Sequence, residues 1–211
     1  MSNNARAIVA VCLTAACLST MQTANAADTK SPYPAEVVDL AKKASEGPLT
    51  DDEANRLISD YPDLAASLPD YRPGKSTEKE YVVPDQTTED NQAEVHTTEK
   101  CSTAHRAEEL RSLIVQQVLY EMETSVHFCW NELHVTKVDP PVSEFRNVYE
   151  WRNIEGEISN RAWIDDNHEG HAKHMYQVAN EIPYVGVIGR SHPYNSFTFK
   201  PGGKVLSSGG H

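Results

Sequence analysis

The chain has 211 residues and is acidic, with 31 Asp and Glu residues against 19 Lys and Arg residues and a formal net charge of −12. Lys and Arg are not clustered anywhere, so the phosphate backbone of a nucleic acid would be repelled, and we expect no nucleic-acid partner. The chain also lacks a Gly-rich phosphate loop, a Gly-x-Ser-x-Gly nucleophile motif and an apolar segment long enough to cross a membrane. We therefore expect no cofactor and no membrane insertion.

The first residues have the pattern of a secretory signal peptide. A single basic residue, Arg6, precedes an apolar stretch at 7–17, and Ala24 and Ala26 provide a small-x-small cleavage site. The apolar stretch is shorter than the ~20 residues that a membrane-spanning helix needs. The pattern predicts a signal peptide at 1–26 and a secreted, extracellular mature protein.

The region from residue 27 to residue 100 is poor in large apolar residues, since every Phe and Trp of the chain lies further on. Residues 27–70 are predicted to form a short helical pro-region or arm, because "TDDE" at 50–53 has the pattern of a helix capping box. Residues 71–100 are polar and acidic, which is typical of a disordered linker. The one apolar triplet of this linker is the predicted partner-binding segment: Tyr81, Val82 and Val83.

Two cysteines, Cys101 and Cys129, lie after the predicted signal peptide. In an oxidising compartment two such cysteines pair more often than they stay free. The sequence therefore predicts a disulfide between them. In the chain-entropy model, closing a loop of this length stabilises the fold by roughly 3 kcal/mol.

Residues 101–211 are predicted to form the folded domain. The stretch after Cys101 is helix-prone, with Leu110, Leu113 and Ile114 at helical spacing. From residue 118 to residue 130 apolar and polar residues alternate, as in a long half-buried strand. Shorter strand signals follow, separated by turn residues: "LHVTKV", "FRNVYEW", "GEISNRAWI", "AKHMYQV", "YVGVI", "SFTFK" and "KVL". This pattern predicts a mainly β fold, an antiparallel β-sandwich (Ig-like) or a small barrel with one disulfide.

The order of several motifs resembles the small secreted single-domain proteins of actinobacteria. The motifs are the first Cys of the domain, "HFCW" at 127–130, a "W…G.I…W" hairpin at 151–163, "GH" at 170–171 and the closing "IG..HPYNSFTF..GG" at 188–203. The resemblance implies a secreted, disulfide-tied β-rich domain, with a strand where local spacing predicts a helix. It implies no activity and no catalytic residue, and the type of element over 102–117 stays open.

Three histidines are candidate metal ligands: His168, His171 and His174. In a strand His171 and His174 point to opposite faces, so that only His168 and His174 could share a metal ion. A helix would bring all three side chains within one arc. "HEGH" also lacks the spacing of the zinc metalloprotease motif, which places its histidines four residues apart. We therefore predict no metal site.

The missing catalytic motif and the predicted arm favour a secreted non-enzymatic interaction protein. Its partner would be another secreted protein, and the arm suits an adaptor subunit of a secreted antibacterial assembly. One alternative is a secreted hydrolase or toxin domain that the N-terminal pro-region keeps latent. The second alternative is a glycan-binding module, which requires Trp151 or Trp163 to be exposed. In so small a domain we expect the tryptophans to pack in the core.

Overall fold

The computed structural model describes residues 31–85, 99–114 and 117–211, which belong to one compact unit, Ser31–His211. The predicted signal peptide at 1–26 lies outside the described residues. The helices are α1 (Ala35–Glu46), α2 (Asp51–Asp60) and α3 (Pro62–Ser67). The strands are β1 (Thr77–Pro84), β2 (Lys100–Arg111), β3 (Val118–Trp130), β4 (Val135–Val138), β5 (Val142–Arg146), β6 (Arg152–Ile164), β7 (Gly170–Ile182), β8 (Gly186–Ser191), β9 (Tyr194–Phe199) and β10 (Val205–Gly210), with a 3-10 turn at Pro201–Gly203.

The strands form two antiparallel sheets of five strands each, which pack face to face as a β-sandwich. In the first sheet β1, β2 and β3 are neighbours, and β4 and β5 pair with successive parts of the far edge of β3. In the second sheet β6 lies beside β7, β8 and β9 pair with the other edge of β7, and β10 pairs with β9. The predicted mainly β, antiparallel sandwich is therefore confirmed.

Side chains from alternate strand positions fill the space between the sheets. Phe128 of β3 stacks on Phe199 of β9 with ring centroids 4.2 Å apart. Val126, Ala172 and Phe197 are buried in the same cluster. The alternation predicted for β3 is confirmed, since buried and half-buried residues alternate along most of this strand.

Residues 100–111 form β2, although their local spacing predicts a helix. β2 lies between β1 and β3 and pairs with both along most of its length. Helix propensities differ by less than about 1 kcal/mol per residue, and pairing on both edges outweighs that preference. The helical spacing of Leu110 and Leu113 has another origin, because Leu110 lies in the sandwich core and Leu113 packs with the helices. The type of element over 102–117, which the sequence left open between helix and strand, is therefore a strand as far as Arg111.

The predicted Cys101–Cys129 disulfide is confirmed. The two residues are directly opposite each other in the register of β2 and β3, with Cα atoms 4.1 Å apart. The bond thus joins two strands near the middle of the first sheet.

The three helices pack on the second sheet. Val37, Ala41 and Leu57 are buried in a cluster with Ile182 of β7 and Ile188 of β8. The predicted capping box at the start of α2 is present. The helices predicted within 27–70 are thus found, and they belong to one compact unit with the strands, because their apolar faces are buried against them. Their role as a pro-region or arm stays a prediction. Among the described residues, no helix is long and apolar enough to cross a membrane.

The segment predicted as a disordered linker, 71–100, contains a strand in its first half, whereas residues 86–98 lie outside the described part of the chain. β1 pairs with β2 along its whole length. Two of the acidic residues that suggested disorder have a partner, because Arg106 of β2 forms ion pairs with Glu78 and Glu80. Composition describes what the segment can bury alone, and it does not show the neighbouring strand and the cation that hold it in place.

Candidate functional site

β1 forms an edge of the first sheet, and among the described residues it pairs only with β2. All eight residues of β1 are exposed. The exposed fractions of Tyr81, Val82 and Val83 are 47%, 45% and 47%. The predicted partner-binding triplet therefore lies in an ordered, solvent-facing edge strand.

The direction of the backbone groups shows what β1 presents to solvent. The Asp85 N–H donates to the Cys101 carbonyl at 3.2 Å. In an antiparallel pair this direction alternates along the strand, so the backbone groups of Tyr81 and Val83 face β2 and those of Val82 face away from it. Pro84 also lies at an outward-facing position, where the missing N–H breaks no bond of the sheet.

Side-chain contacts hold β1 in a fixed shape. The Tyr81 ring stacks on the His105 ring with centroids 4.5 Å apart. The Tyr81 hydroxyl donates to Glu123 Oε1 at 2.7 Å, which raises the pKa of Tyr81 and lowers the pKa of Glu123. A strand that is already ordered loses little conformational entropy when a partner binds to it.

A buried ion-pair cluster lies under β1. The Arg106 guanidinium contacts Glu108 at 2.7 Å and Glu78 at 2.8 Å, and it also contacts Glu80. The side chains of Arg106 and Glu108 are each only 2% exposed. Burial raises the pKa of Glu108, and Arg106 opposes that rise. Arg106 therefore anchors β1 by binding two of its acidic residues at once.

The structure separates the three candidate histidines. His168 lies in the turn before β7, with a φ of 61° and its ring centroid 4.2 Å from that of His134. His171 lies on the outer face of β7, and His174 lies on the inner face with 2% of its side chain exposed. The expectation that His171 and His174 point to opposite faces is confirmed, and His168 does not share a face with His174.

One of these histidines belongs to a small acidic group. Asp165, Glu169 and His171 could each offer a ligand atom, and these atoms lie within 4.8 Å of one another. The Lys200 ammonium, however, donates to Glu169 at 2.6 Å and already neutralises it. His171 Nε2 is 3.1 Å from Asp165 Oδ2. The polar atoms of this group therefore satisfy each other.

The second histidine takes part in a hydrogen-bonded chain between the sheets. His174 Nδ1 is 2.7 Å from Ser143 Oγ, and His174 Nε2 is 2.8 Å from Glu157 Oε2. Thr124 Oγ1 is 2.7 Å from Ser143 Oγ, and the Asn195 side-chain amide donates to Thr124 Oγ1 at 2.8 Å. These contacts allow an arrangement in which Thr124 donates to Ser143 and Ser143 donates to His174.

The order of residue types, a serine next to a histidine next to a carboxylate, is that of serine hydrolases, but the ring nitrogens are exchanged: Ser143 contacts His174 Nδ1 and Glu157 contacts Nε2. The sequence pointed to His174 only as a candidate metal ligand and did not connect it with Ser143 and Glu157, because the three residues come from different strands, β7, β5 and β6. No motif links them along the chain. The pairing of β5 with β3 and of β7 with β6 brings them together.

The outer face of the second sheet carries aromatic and basic side chains. Trp163 is 47% exposed, and its ring stacks on His171 with centroids 5.0 Å apart. Lys173 Nζ lies 5.0 Å from the centre of the Tyr194 ring. The prediction that the tryptophans pack in the core is therefore wrong for Trp163, whereas Trp130 packs on Phe128. The exposure that a glycan-binding module requires is met at Trp163.

No protein-family model, no curated protein and no solved structure matches this chain.

Proposed function

We propose that this protein is a secreted, non-enzymatic interaction protein that binds another secreted protein by strand addition at β1. The observation that supports this proposal most directly is that the backbone groups of Val82, on the outer edge of β1, face away from the sheet. Secretion rests on the signal-peptide pattern at 1–26. The setting that we propose is an adaptor subunit of a secreted antibacterial assembly, and the resemblance to actinobacterial secreted proteins stays a prediction.

The surroundings of β1 indicate the chemistry of the partner strand. Beside Val82 lies a cavity of about 230 Å³, which Phe197 and Val205 also line. An apolar side chain of the partner strand could enter this space, while Tyr81 and Val83 offer apolar surface on the opposite face. Since the chain carries a net charge of −12, a neutral or basic strand would be favoured over an acidic one.

Two substitutions at one position test this proposal. Val82→Pro removes an outward-facing N–H without removing a bond to β2, whereas Val82→Thr keeps the N–H and the branched shape of the side chain. The full secreted chain, carrying an affinity tag, would be recovered from culture supernatant. We expect a stoichiometric partner to remain with the wild type and with Val82→Thr and to be lost with Val82→Pro.

Thermal unfolding of both variants is the control, because Val82→Pro must leave the sheet intact for the comparison to count. Retention of the partner by a folded Val82→Pro variant would show that β1 does not pair with it. Absence of any stoichiometric partner from the wild type would remove the proposal altogether.

A hydrolase is the second candidate, and the Ser143–His174–Glu157 chain favours it. In such an enzyme Ser143 Oγ would attack an acyl carbon and pass its proton to His174. His174 would give that proton to the departing alcohol or amine as its bond to the acyl carbon breaks, and water would later release the acyl group as the acid. A fluorophosphonate probe should then label the wild type and not Ser143→Ala. If the probe does not label the folded wild type, the hydrogen bonds among Ser143, His174 and Glu157 have a structural role. In the latent form of this hypothesis the N-terminal residues 31–85, which belong to the same compact unit as the strands, would keep the hydrolase inactive until they are removed.

A further inference from the structure

The outer face of the second sheet carries two cations that strand pairing brings together. Arg161 of β6 is directly opposite Lys173 of β7 in the register of the two strands. The neighbours of Lys173 along β7, Ala172 and His174, are buried between the sheets, so Lys173 and its partner Arg161 face outward. Neither the edge of β1 nor the hydrogen-bonded chain between the sheets uses this face.

Neither cation of this pair forms an ion pair within the described part of the chain. Lys173 Nζ lies 5.0 Å from the centre of the Tyr194 ring, and Arg161 is exposed. Three acidic residues of the same sheet and its turns are held by other side chains: Glu155 by Arg190, Asp165 by His171 and Glu169 by Lys200. Like charges directly opposite each other destabilise a sheet. In a chain with a net charge of −12, two adjacent cations without an acid favour the binding of an anion from outside.

An exposed aromatic ring lies beside these cations. Trp163 follows Arg161 by two residues on β6, which places it on the same face and about 7 Å along the strand. His171 stacks on one face of the Trp163 ring. β6 is an edge strand that pairs only with β7 among the described residues, and Trp163 is 47% exposed, so its other face is open to a ligand.

Short hydroxyl side chains continue this face across the sheet. Ser196 of β9 is opposite Lys173, and Ser208 of β10 is opposite Ser196. Thr198 of β9 is opposite His171 in the next row. Each hydroxyl can both donate and accept a hydrogen bond, and none of these side chains projects far from the sheet. The face therefore combines a flat apolar ring, two cations and a row of hydroxyls.

We propose that this face binds an acidic polysaccharide whose sugar residues carry carboxylates. The apolar C–H face of one pyranose ring packs on the open face of Trp163. The carboxylate of the bound sugar accepts hydrogen bonds from Arg161 and Lys173. Sugar hydroxyls further along the polymer bind Ser196 and Thr198.

A single carboxylated polymer chain fits this face better than other polyanions do. Exposed charges act over about 10 Å at 0.1 M salt, so a narrow chain meets the two cations, whereas a wide anionic membrane also meets the acidic rest of the molecule. In a uronate the carboxylate is attached to the ring that stacks, which matches the neighbouring positions of Trp163 and Arg161 on β6. In a nucleic acid the ribose separates the phosphate from the stacking base.

Oligogalacturonate and oligomannuronate are suitable probes, immobilised for biolayer interferometry with the full secreted chain. Their methyl esters are matched controls, because they keep the pyranose rings and remove the charge. Polyphosphate is the competing polyanion without rings. We expect saturable binding of at least one oligouronate that weakens as the NaCl concentration rises, and binding of its ester and of polyphosphate that is about tenfold weaker or absent.

Substitutions on the outer face assign the binding to it. Arg161→Gln and Lys173→Gln should each weaken binding about two- to fivefold, and the double variant about tenfold. Trp163→Ala should weaken binding about tenfold or more, whereas Trp163→Phe keeps a flat ring and should retain most of the affinity. Lys79→Gln is the matched control, since it removes an exposed cation of β1 and should leave binding unchanged. Thermal unfolding should show melting temperatures near that of the wild type, because Arg161 and Trp163 are exposed and Lys173 is half-buried.

Three results would overturn the proposal. The first is the absence of saturable binding by both oligouronates. The second is binding of polyphosphate or of a methyl ester that is as tight as oligouronate binding, since charge alone or the ring alone would then suffice. The third is a loss of affinity in Lys79→Gln that equals the loss in Arg161→Gln, which would place the bound polymer elsewhere on the molecule.

Discussion

Arg106→Met tests the anchoring of β1, because Arg106 is the cation shared by Glu78, Glu80 and Glu108. The substitution leaves Glu108 buried without its cation. Removing one partner of a buried ion pair typically costs 3–5 kcal/mol. Since burial already raises the pKa of Glu108, the carboxyl can take up a proton and limit the loss. Glu78 and Glu80 are half exposed and add at most about 1 kcal/mol each. We expect the free energy of unfolding to fall by about 3 kcal/mol.

Urea unfolding at neutral pH, followed by circular dichroism, would measure this change. The double variant Arg106→Met/Glu108→Leu should recover most of the loss, because apolar replacement of a whole buried pair is often neutral. Lys79→Met is the matched control, since it removes an exposed cation of β1 whose distance to Glu109 is 4.0 Å. This control should change stability by less than about 0.5 kcal/mol.

Arg106 does not anchor β1 if Arg106→Met lowers the free energy of unfolding no more than Lys79→Met does, or if the double variant is as unstable as the single one. A second readout connects stability to function. Amide hydrogen exchange in β1 should accelerate in Arg106→Met, since the strand loses the cation that binds Glu78 and Glu80. Partner binding at β1 should weaken in parallel.

Three further predictions concern other parts of the molecule. A Cβ atom at Gly170 would lie 2.6 Å from Val138 Cγ2. Gly170→Ala should therefore lower the free energy of unfolding by about 1–3 kcal/mol in urea titrations. A change below about 0.5 kcal/mol would contradict the close packing of Gly170 against Val138. Burial lowers the pKa of His211 to about 4, against about 6.5 in the unfolded chain. Between pH 4 and pH 6.5 the unfolded state therefore binds more protons than the folded state, so the contribution of His211 to the free energy of unfolding falls by up to about 3 kcal/mol as the pH drops from 6.5 to 4. His211→Gln should flatten this part of the curve of unfolding free energy against pH. An unchanged curve would show that the ring is not buried. Trp163→Ala should leave the melting temperature nearly unchanged, because the side chain is exposed, and should abolish any binding on a glycan array; binding that survives would exclude Trp163 as the platform.

The sequence by itself determined the elements whose signals are local. The alternation over β3 records which residues face the core, and this signal depends only on the two-residue period of a strand. The capping box at Thr50 and Glu53 closes within one helical turn, so neighbouring residues suffice to predict it. The Cys101–Cys129 bond was predictable because only these two cysteines follow the signal-peptide pattern.

The tertiary structure decided the features that depend on distant partners. β1 is acidic and would not fold alone, but β2 supplies both its hydrogen bonds and the Arg106 cation. β2 itself has helical spacing, which pairing on both of its edges overrides. In each case the decisive energy comes from residues far away in the chain, and local patterns carry no information about them.

The candidate sites follow the same division. Tyr81, Val82 and Val83 could be singled out from the sequence, since an apolar triplet in a polar segment is a local contrast. Their place on a paired edge strand, with backbone groups open to solvent, required the register with β2. Ser143 meets His174, and Arg161 meets Lys173, only through strand pairing. Which polar groups meet, and which charged ones remain without a partner, is a property of the folded chain because the contacts join residues from different strands.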